Sequence, residues 1–288
     1  MSKLFSLFQY VLPHHFLSRL IGIFAEGKLA KNLLIRLFIQ KYNVDISEAQ
    51  SAVIEEYENF NAFFTRKLKE SARPINSNPT EIISPADGKL VAAGKITGTE
   101  LIQAKSHSFS TQDLLGGDIN LAGAFSNGNF ATVYLSPKDY HRVHMPLKGT
   151  LLRTIHIPGR LFSVGDATSS NIPNLFARNE RLVCVFETRW GLICLILVGA
   201  MIVGSIRTAW SMEAKKVYKT SIIQEVDYTS QNMQVKLEKG DEVGHFQLGS
   251  TVIVLFKAGI MELNPNALIN TSIKMGESLG KIVDEGKN

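Results

Sequence analysis

Cysteine is nearly absent from this 288-residue chain, and its two residues, Cys184 and Cys194, are too few for a disulfide scaffold. Both sit in apolar runs and read as reduced core residues of a cytosolic protein, with a cross-strand disulfide as the minor alternative. Charge is sparse as well. Charged residues make up 20% and apolar residues 45%, with no low-complexity run, which excludes a disordered, collagenous or coiled-coil protein. A membrane-length apolar run is also missing. The most apolar uncharged stretch, residues 190–206, has 17 residues, short of the ~20 that span a bilayer as a helix. Its β-branched residues and glycines predict two buried strands joined by a glycine turn. The apolar stretch after Lys3 is interrupted by Gln9, Pro13, His14 and His15, which does not read as a signal peptide.

What charge there is lies unevenly. Of the net +5, residues 1–41 carry all: six bases (Lys3, Arg19, Lys28, Lys31, Arg36, Lys41) against Glu26, while the remainder balances 25 bases with 25 acids. A neutral body argues against nucleic acid as a partner. The same segment places Phe16, Leu17, Leu20, Ile21 and Phe24, then Leu29, Leu33, Leu34, Leu37 and Phe38, at helical spacing. A basic amphipathic helix pair fits the surface of an anionic bilayer. Packing against the body of the protein is the alternative that periodicity leaves open.

A third helix is expected from Ser47, with capping-box spacing to Gln50 and a stripe of Ala49, Val53, Tyr57, Phe60 and Phe64, ending at Arg73-Pro74. From residue 82 onward the pattern becomes short β-rich runs: 89–93, 130–135, 150–157, 181–188, 192–198, 201–209, 219–226 and 251–256. The expected fold is therefore α+β: N-terminal amphipathic helices over residues 1–75, then a β-rich barrel or sandwich over 76–288. Two turns echo each other, Gly240-Asp241-Glu242-Val243-Gly244 and Gly276-Glu277-Ser278-Leu279-Gly280. They are similar to the hairpin turns of lipoyl or biotinyl carrier domains, with Lys274 as a loose candidate for modification.

Three places can carry chemistry. Ser84-Pro85-Ala86-Asp87-Gly88 puts an acid in a tight turn before a strand. Asp139-Tyr140-His141-Arg142-Val143-His144 holds two histidines at i, i+3, without the further ligands that a metal would need, so no metal is expected. Leu248-Gly249-Ser250-Thr251 sets a hydroxyl just before an apolar strand. Together they supply an Asp, a His and a Ser, the set that activates a hydroxyl as a nucleophile. Spacing alone does not show that they meet.

Over nearly its whole length the chain resembles the bacterial phosphatidylserine decarboxylase proenzymes. Leu248-Gly249-Ser250-Thr251 is similar to that family's self-cleavage motif and lies close to the C-terminus, as in the family. Phe60-Asn61-Ala62-Phe63-Phe64-Thr65-Arg66-Lys67-Leu68-Lys69 with Ala72-Arg73-Pro74-Ile75, Ser84 to Gly88, Tyr140 to His144 with Pro146, and Leu197-Val198-Gly199-Ala200 with Val203-Gly204-Ser205-Ile206 follow in the family's order.

The resemblance implies an autocatalytic reaction. Asp87 would orient His144, and His144 would deprotonate Ser250 for attack on the carbonyl of Gly249. The chain would then divide into residues 1–249 and 250–288, with Ser250 converted to a covalent pyruvoyl cofactor. Through a Schiff base that group would convert phosphatidylserine to phosphatidylethanolamine and CO2, His141 handling the proton returned to Cα. Expected partners are phosphatidylserine in an anionic membrane and the enzyme's own two fragments as a heterodimer or a higher oligomer, on the cytoplasmic side of the inner membrane. The competing readings are a membrane-associated serine hydrolase using the same triad on an external ester, with an unbroken chain, and a carrier module built on Lys274.

Overall fold

A computed structural model of the protein describes residues 9–10, 12, 14–104, 107–200, 206–210, 222–229, 234–247 and 250–283. Its N-terminal region is helical: α1 (His14–Glu26), α2 (Lys31–Tyr42) and the short α3 (Phe60–Phe64). The strands then follow in chain order, beginning with β1 (Glu81–Ile83), β2 (Gly88–Lys95), β3 (Glu100–Ala104), β4 (His107–Ser110), β5 (Asn129–Leu135) and β6 (Arg142–His144). Next come β7 (Gly149–Ile157), β8 (Arg181–Thr188), β9 (Gly191–Gly199), β10 (Ile206–Thr208), β11 (Gln224–Asp227) and β12 (Lys236–Leu237). The last are β13 (Glu242–Phe246), β14 (Ser250–Phe256), β15 (Met261–Leu263), β16 (Ser272–Ile273) and β17 (Ser278–Ile282).

One antiparallel sheet organises the body, in the order β11-β7-β8-β9-β14-β5-β2-β16, with β12 also paired to β7. It does not close, so of the barrel and the sandwich it is the layered form that the chain takes. Two small sheets, β10-β13-β6 and β1-β17-β15, cover one face. Val143, Val243, Phe246, Ile82, Leu279 and Ile282 pack there against Val133, Leu195, Leu197 and Val252. The β3–β4 hairpin and short helices cover the other face, where Leu101, Phe109, Phe125, Phe162 and Phe176 meet Val183, Ile196, Ile253 and Leu255. Covering both faces explains why β14 reads as a continuous apolar run without alternation, every residue of it being buried. Cys184 and Cys194 belong to opposite faces and are free, which removes the disulfide alternative.

The helix expected from Ser47 is not there. Ser47 donates from both its backbone N–H and its hydroxyl to Asp45 Oδ1, closing an Asx turn that competes with helix initiation. Two 3-10 turns, at Ile54–Glu56 and Glu70–Ala72, and the five residues of α3 are what remains. So short a helix has little stability of its own. It is held by Asn59, whose side chain accepts from the Ala62 N–H at 2.8 Å, and by burial of Phe60, Phe63 and Phe64 against Ile35 of α2 and Ala25 of α1. Each Phe contributes about 1.5–3 kcal/mol through burial. The opposite side of the helix pair leaves Ile23, Phe24, Leu29, Leu33 and Leu37 exposed; the side chains of Phe16, Leu17 and Leu20 lie outside the described residues. Of the expected strands, the stretches over 201–205 and 219–221 also lie outside them.

Candidate active site

Register places the sequence motifs at one end of the large sheet. Ser250 opens β14 opposite Leu135 of β5 on one side and Gly199 of β9 on the other. Beyond β5 runs β2, where Lys89 pairs with Tyr134, so Asp87 leaves the sheet at the same level, two strands from Ser250. Gly88 is required there. A Cβ would stand 2.3 Å from the Tyr134 carbonyl oxygen, closer than any side chain tolerates. His144 ends β6 and donates its backbone N–H to Pro85 O at 2.8 Å, which ties the histidine segment to the Asp87 turn.

Within this cluster the Asp87 carboxylate does not meet the imidazole. Its Oδ1 accepts from Arg73 Nε at 2.8 Å and from the Met275 N–H at 2.9 Å, while Oδ2 accepts from Arg73 Nη2. The same Arg73 nitrogen reaches Glu48 at 2.8 Å. Glu48, also bound by Lys274 at 3.1 Å, is held at about 2, chiefly by the hydrogen bond from Arg73. That contact occupies Lys274 with an ion pair. His144 has other partners: its Nδ1 lies 2.7 Å from Gly240 O and its Nε2 3.0 Å from the Tyr140 hydroxyl. A carbonyl only accepts, so Nδ1 carries the proton and the Nε2 lone pair receives the Tyr140 O–H. Burial lowers the His144 pKa below its ordinary value, against the Gly240 hydrogen bond and the charges of Glu242 and Asp87, which raise it. The ring is a neutral base at neutral pH.

The two echoing turns both serve this cluster. Gly240 and Gly276 have positive φ, 90° and 91°, and both abut Ile75, the residue after Arg73-Pro74. One turn provides the carbonyl that fixes His144, and the other precedes its glycine with the N–H that fixes Asp87.

Ser250 is fully buried, and its hydroxyl has no hydrogen-bond partner among the described residues. Gly249 and Leu248 lie outside them. His141 is also fully buried, its ring stacked on Phe64 at 3.9 Å between centroids, and neither ring nitrogen makes a hydrogen bond of ordinary geometry. Burial, with the charge of Arg66 second, pushes its pKa down to about 3; backbone groups of Pro137 and Ser136 counter some of this shift. Arg142 is committed to Glu242, with both carboxylate oxygens within 2.8 Å of its Nη1, and to Thr65 O at 2.9 Å.

Sequence reasoning missed Arg73, Arg66, Tyr140, Gly240 and Met275. The Arg73-Pro74 pair is legible as a helix stop and as part of a family motif but not as a partner of Asp87, and nothing in the spacing announces that a residue 188 positions after Asp87 completes its shell.

Comparison with known proteins decides the family. The model for phosphatidylserine decarboxylase matches residues 60–281, and a second model, described as PSD, matches residues 4–43. The chain belongs to the phosphatidylserine decarboxylase family. Among its relatives, the phosphatidylserine decarboxylase proenzyme of Pseudomonas fluorescens is 49% identical over 96% of this chain and 97% of that protein. The proenzyme of Ectopseudomonas mendocina is 50% identical over 96% and 98%, and that of Alcanivorax borkumensis 47% identical over 99% and 98%. Membership places the chain among carboxy-lyases. No helix of the described residues is long and apolar enough to cross a membrane.

Proposed function

We propose that this chain is a proenzyme that cuts itself between Gly249 and Ser250 and then decarboxylates phosphatidylserine to phosphatidylethanolamine. The observation that carries this reading is the Ser250 hydroxyl, buried in the middle of a sheet with no partner among the described residues. An unsatisfied buried hydroxyl costs about 1–3 kcal/mol. Of the unpartnered buried hydroxyls, Ser250 is the one that lies at the proposed cut, where chemistry would use it.

In this reading His144 Nε2 accepts the Ser250 proton once it turns from Tyr140, and Asp87 stabilises the resulting imidazolium through its charge, a contribution already felt in the His144 pKa. The Ser250 oxygen attacks the Gly249 carbonyl and replaces the peptide bond by an ester. Loss of the Cα proton of Ser250 with expulsion of the Gly249 carboxylate leaves a dehydroalanine. Water then converts it to a ketone and releases ammonia, so that residues 250–288 begin with a pyruvoyl group. The interior position of Ser250 fits that group, because pairing of β14 with β5 and β9 holds the start of residues 250–288 in the sheet after the cut. A pyruvoyl group supplies a ketone for the substrate amine and an amide carbonyl as electron sink. His141 is the candidate for the proton at Cα. With a pKa of about 3 it cannot store a proton at neutral pH, so it acts by taking one up and passing it on within the step. The division into a membrane-docking region over 1–75 and a catalytic region over 76–288, and peripheral attachment to the cytoplasmic face of the inner membrane, belong to the same proposal. The exposed apolar side of α1 and α2 supports it.

Intact mass spectrometry of the purified protein, beside the Ser250→Ala variant, tests the reading. The expected result is two fragments meeting at Gly249, the smaller one lighter by one ammonia than a peptide that begins with serine, and neither fragment in the variant. A folded wild-type chain of full mass would transfer the assignment to a serine hydrolase, which labelling of Ser250 by a fluorophosphonate would reveal.

A further inference from the structure

Arg66 is a buried cation without an anion. It is 4% exposed. Its Nη2 donates to Lys138 O at 3.1 Å, whereas Nε and Nη1 have no partner, and no carboxylate lies within ion-pair distance of it among the described residues. Burial pushes its pKa below the ordinary value, which the more distant charges of Tyr57, Asp87, Asp139 and Glu48 only partly offset. The Phe63 ring beneath the guanidinium, 5.3 Å from Cζ to centroid, is its other support. Removing a guanidinium from water without pairing it costs several kcal/mol.

The surroundings tie Arg66 to the candidate site. Arg66 follows α3, whose Phe64 stacks on His141, and its charge is the second cause of the depressed His141 pKa. Lys138, which it touches, stands in the 136–141 loop that continues from β5 directly after Leu135, the residue opposite Ser250. One loop thus connects a buried hydroxyl, a buried neutral imidazole and a buried guanidinium with two unpartnered nitrogens.

We infer that Arg66 is an anion-binding residue for the substrate, and that the group it takes is the phosphodiester. This rests on the decarboxylase reading above. The phosphatidylserine head group presents two anions. Its carboxylate must leave as neutral CO2, so a guanidinium clasping it would stabilise a charge that the transition state is losing and would raise the barrier. Its phosphodiester keeps its charge from binding to release, and its non-bridging oxygens are strong acceptors for guanidinium N–H groups.

The test compares Arg66→Met and Arg66→Lys with wild type, each checked for complete self-cleavage on a gel, using short-chain phosphatidylserine. A residue that binds the phosphodiester equally in ground and transition states predicts that KM rises about tenfold or more in Arg66→Met, less in Arg66→Lys, with kcat within about twofold. In a Ser250→Ala background, Arg66→Met should melt no lower than its parent, because an unpaired buried charge has gone. An unchanged KM in a cleaved variant overturns the inference. So does a fall in kcat at constant KM, which would point to the carboxylate, or failure of both variants to cleave, which would assign Arg66 to the fold alone. Failure of the decarboxylase reading is separate: the wild type itself would then show no turnover.

Discussion

Arg73 grips the Asp87 carboxylate by both oxygens, Nε on one and Nη2 on the other, from 14 residues away and with both side chains buried. The acid of the expected triad is therefore engaged by an arginine and a backbone N–H in the uncut chain, and it influences His144 by charge and not by contact.

Arg73→Met should strip this clamp and leave Asp87 buried with the Met275 N–H alone. Losing one partner of a buried pair costs about 3–5 kcal/mol, read by urea denaturation in the Ser250→Ala background, where the chain stays whole. Self-cleavage of the otherwise wild-type variant should slow. Unchanged stability would mean that the clamp contributes nothing to the fold.

Acid should destabilise the uncut protein through His141. Its folded pKa, about 3, lies below the unfolded value near 6.5, so the unfolded chain takes up a proton that the folded chain refuses. Stability is full above pH 6.5 and declines as pH falls toward about 3. His141→Phe, which preserves the stack on Phe64, should move the acid midpoint of Ser250→Ala to lower pH. A midpoint that stays put would argue that the ring meets water.

Self-cleavage has a different pH dependence. The lowered pKa of His144 keeps its base form populated throughout the neutral range, so the rate should be flat there and fall only in acid below the ordinary histidine value. Following the uncut fraction over time in a slowed variant measures this. A rate still climbing above pH 7 would assign the base to another group.

The helix pair has two sides with different jobs. Deleting residues 2–41 would remove Ala25 and Ile35 from the cluster with Phe60, Phe63 and Phe64, and would disturb the residue on which His141 stacks. Replacing Ile23, Phe24, Leu33 and Leu37 by Ser touches only exposed positions. Those four changes should release the protein from vesicles containing anionic lipid while leaving cleavage and melting temperature intact. Pelleting with vesicles at moderate salt, as wild type does, would exclude this face as the anchor.

Much of the site was legible because its residues sit in short local patterns. An acid in the turn before Gly88, an apolar run after Ser250 and paired histidines before Pro146 are each visible within a few residues. The α+β class and most strands followed from periodicity for the same reason. The helix from Ser47 failed although Ala49, Phe60 and Phe64 of its stripe are buried, because two polar contacts to Asp45 offer the backbone a turn where the helix would have to start. The partners of the motif residues were illegible for a simpler reason: Arg73, Tyr140, Gly240 and Met275 act through contacts that only the folded chain creates.

The place of β14 bears on how such an enzyme can be made at all. It is an interior strand, paired along seven residues with β9 on one side and with β5 on the other, and buried on both faces. A separately synthesised peptide of residues 250–288 would have to prise apart a finished sheet to reach that position. If the chain cuts itself as proposed, topology dictates the order of events: the sheet is laid down first from one continuous polymer, and the scission comes afterwards, inside a finished wall. Once denatured, the severed pieces would have to find each other as a bimolecular reaction, so the mature protein should owe its persistence to slow unfolding, with no easy route home.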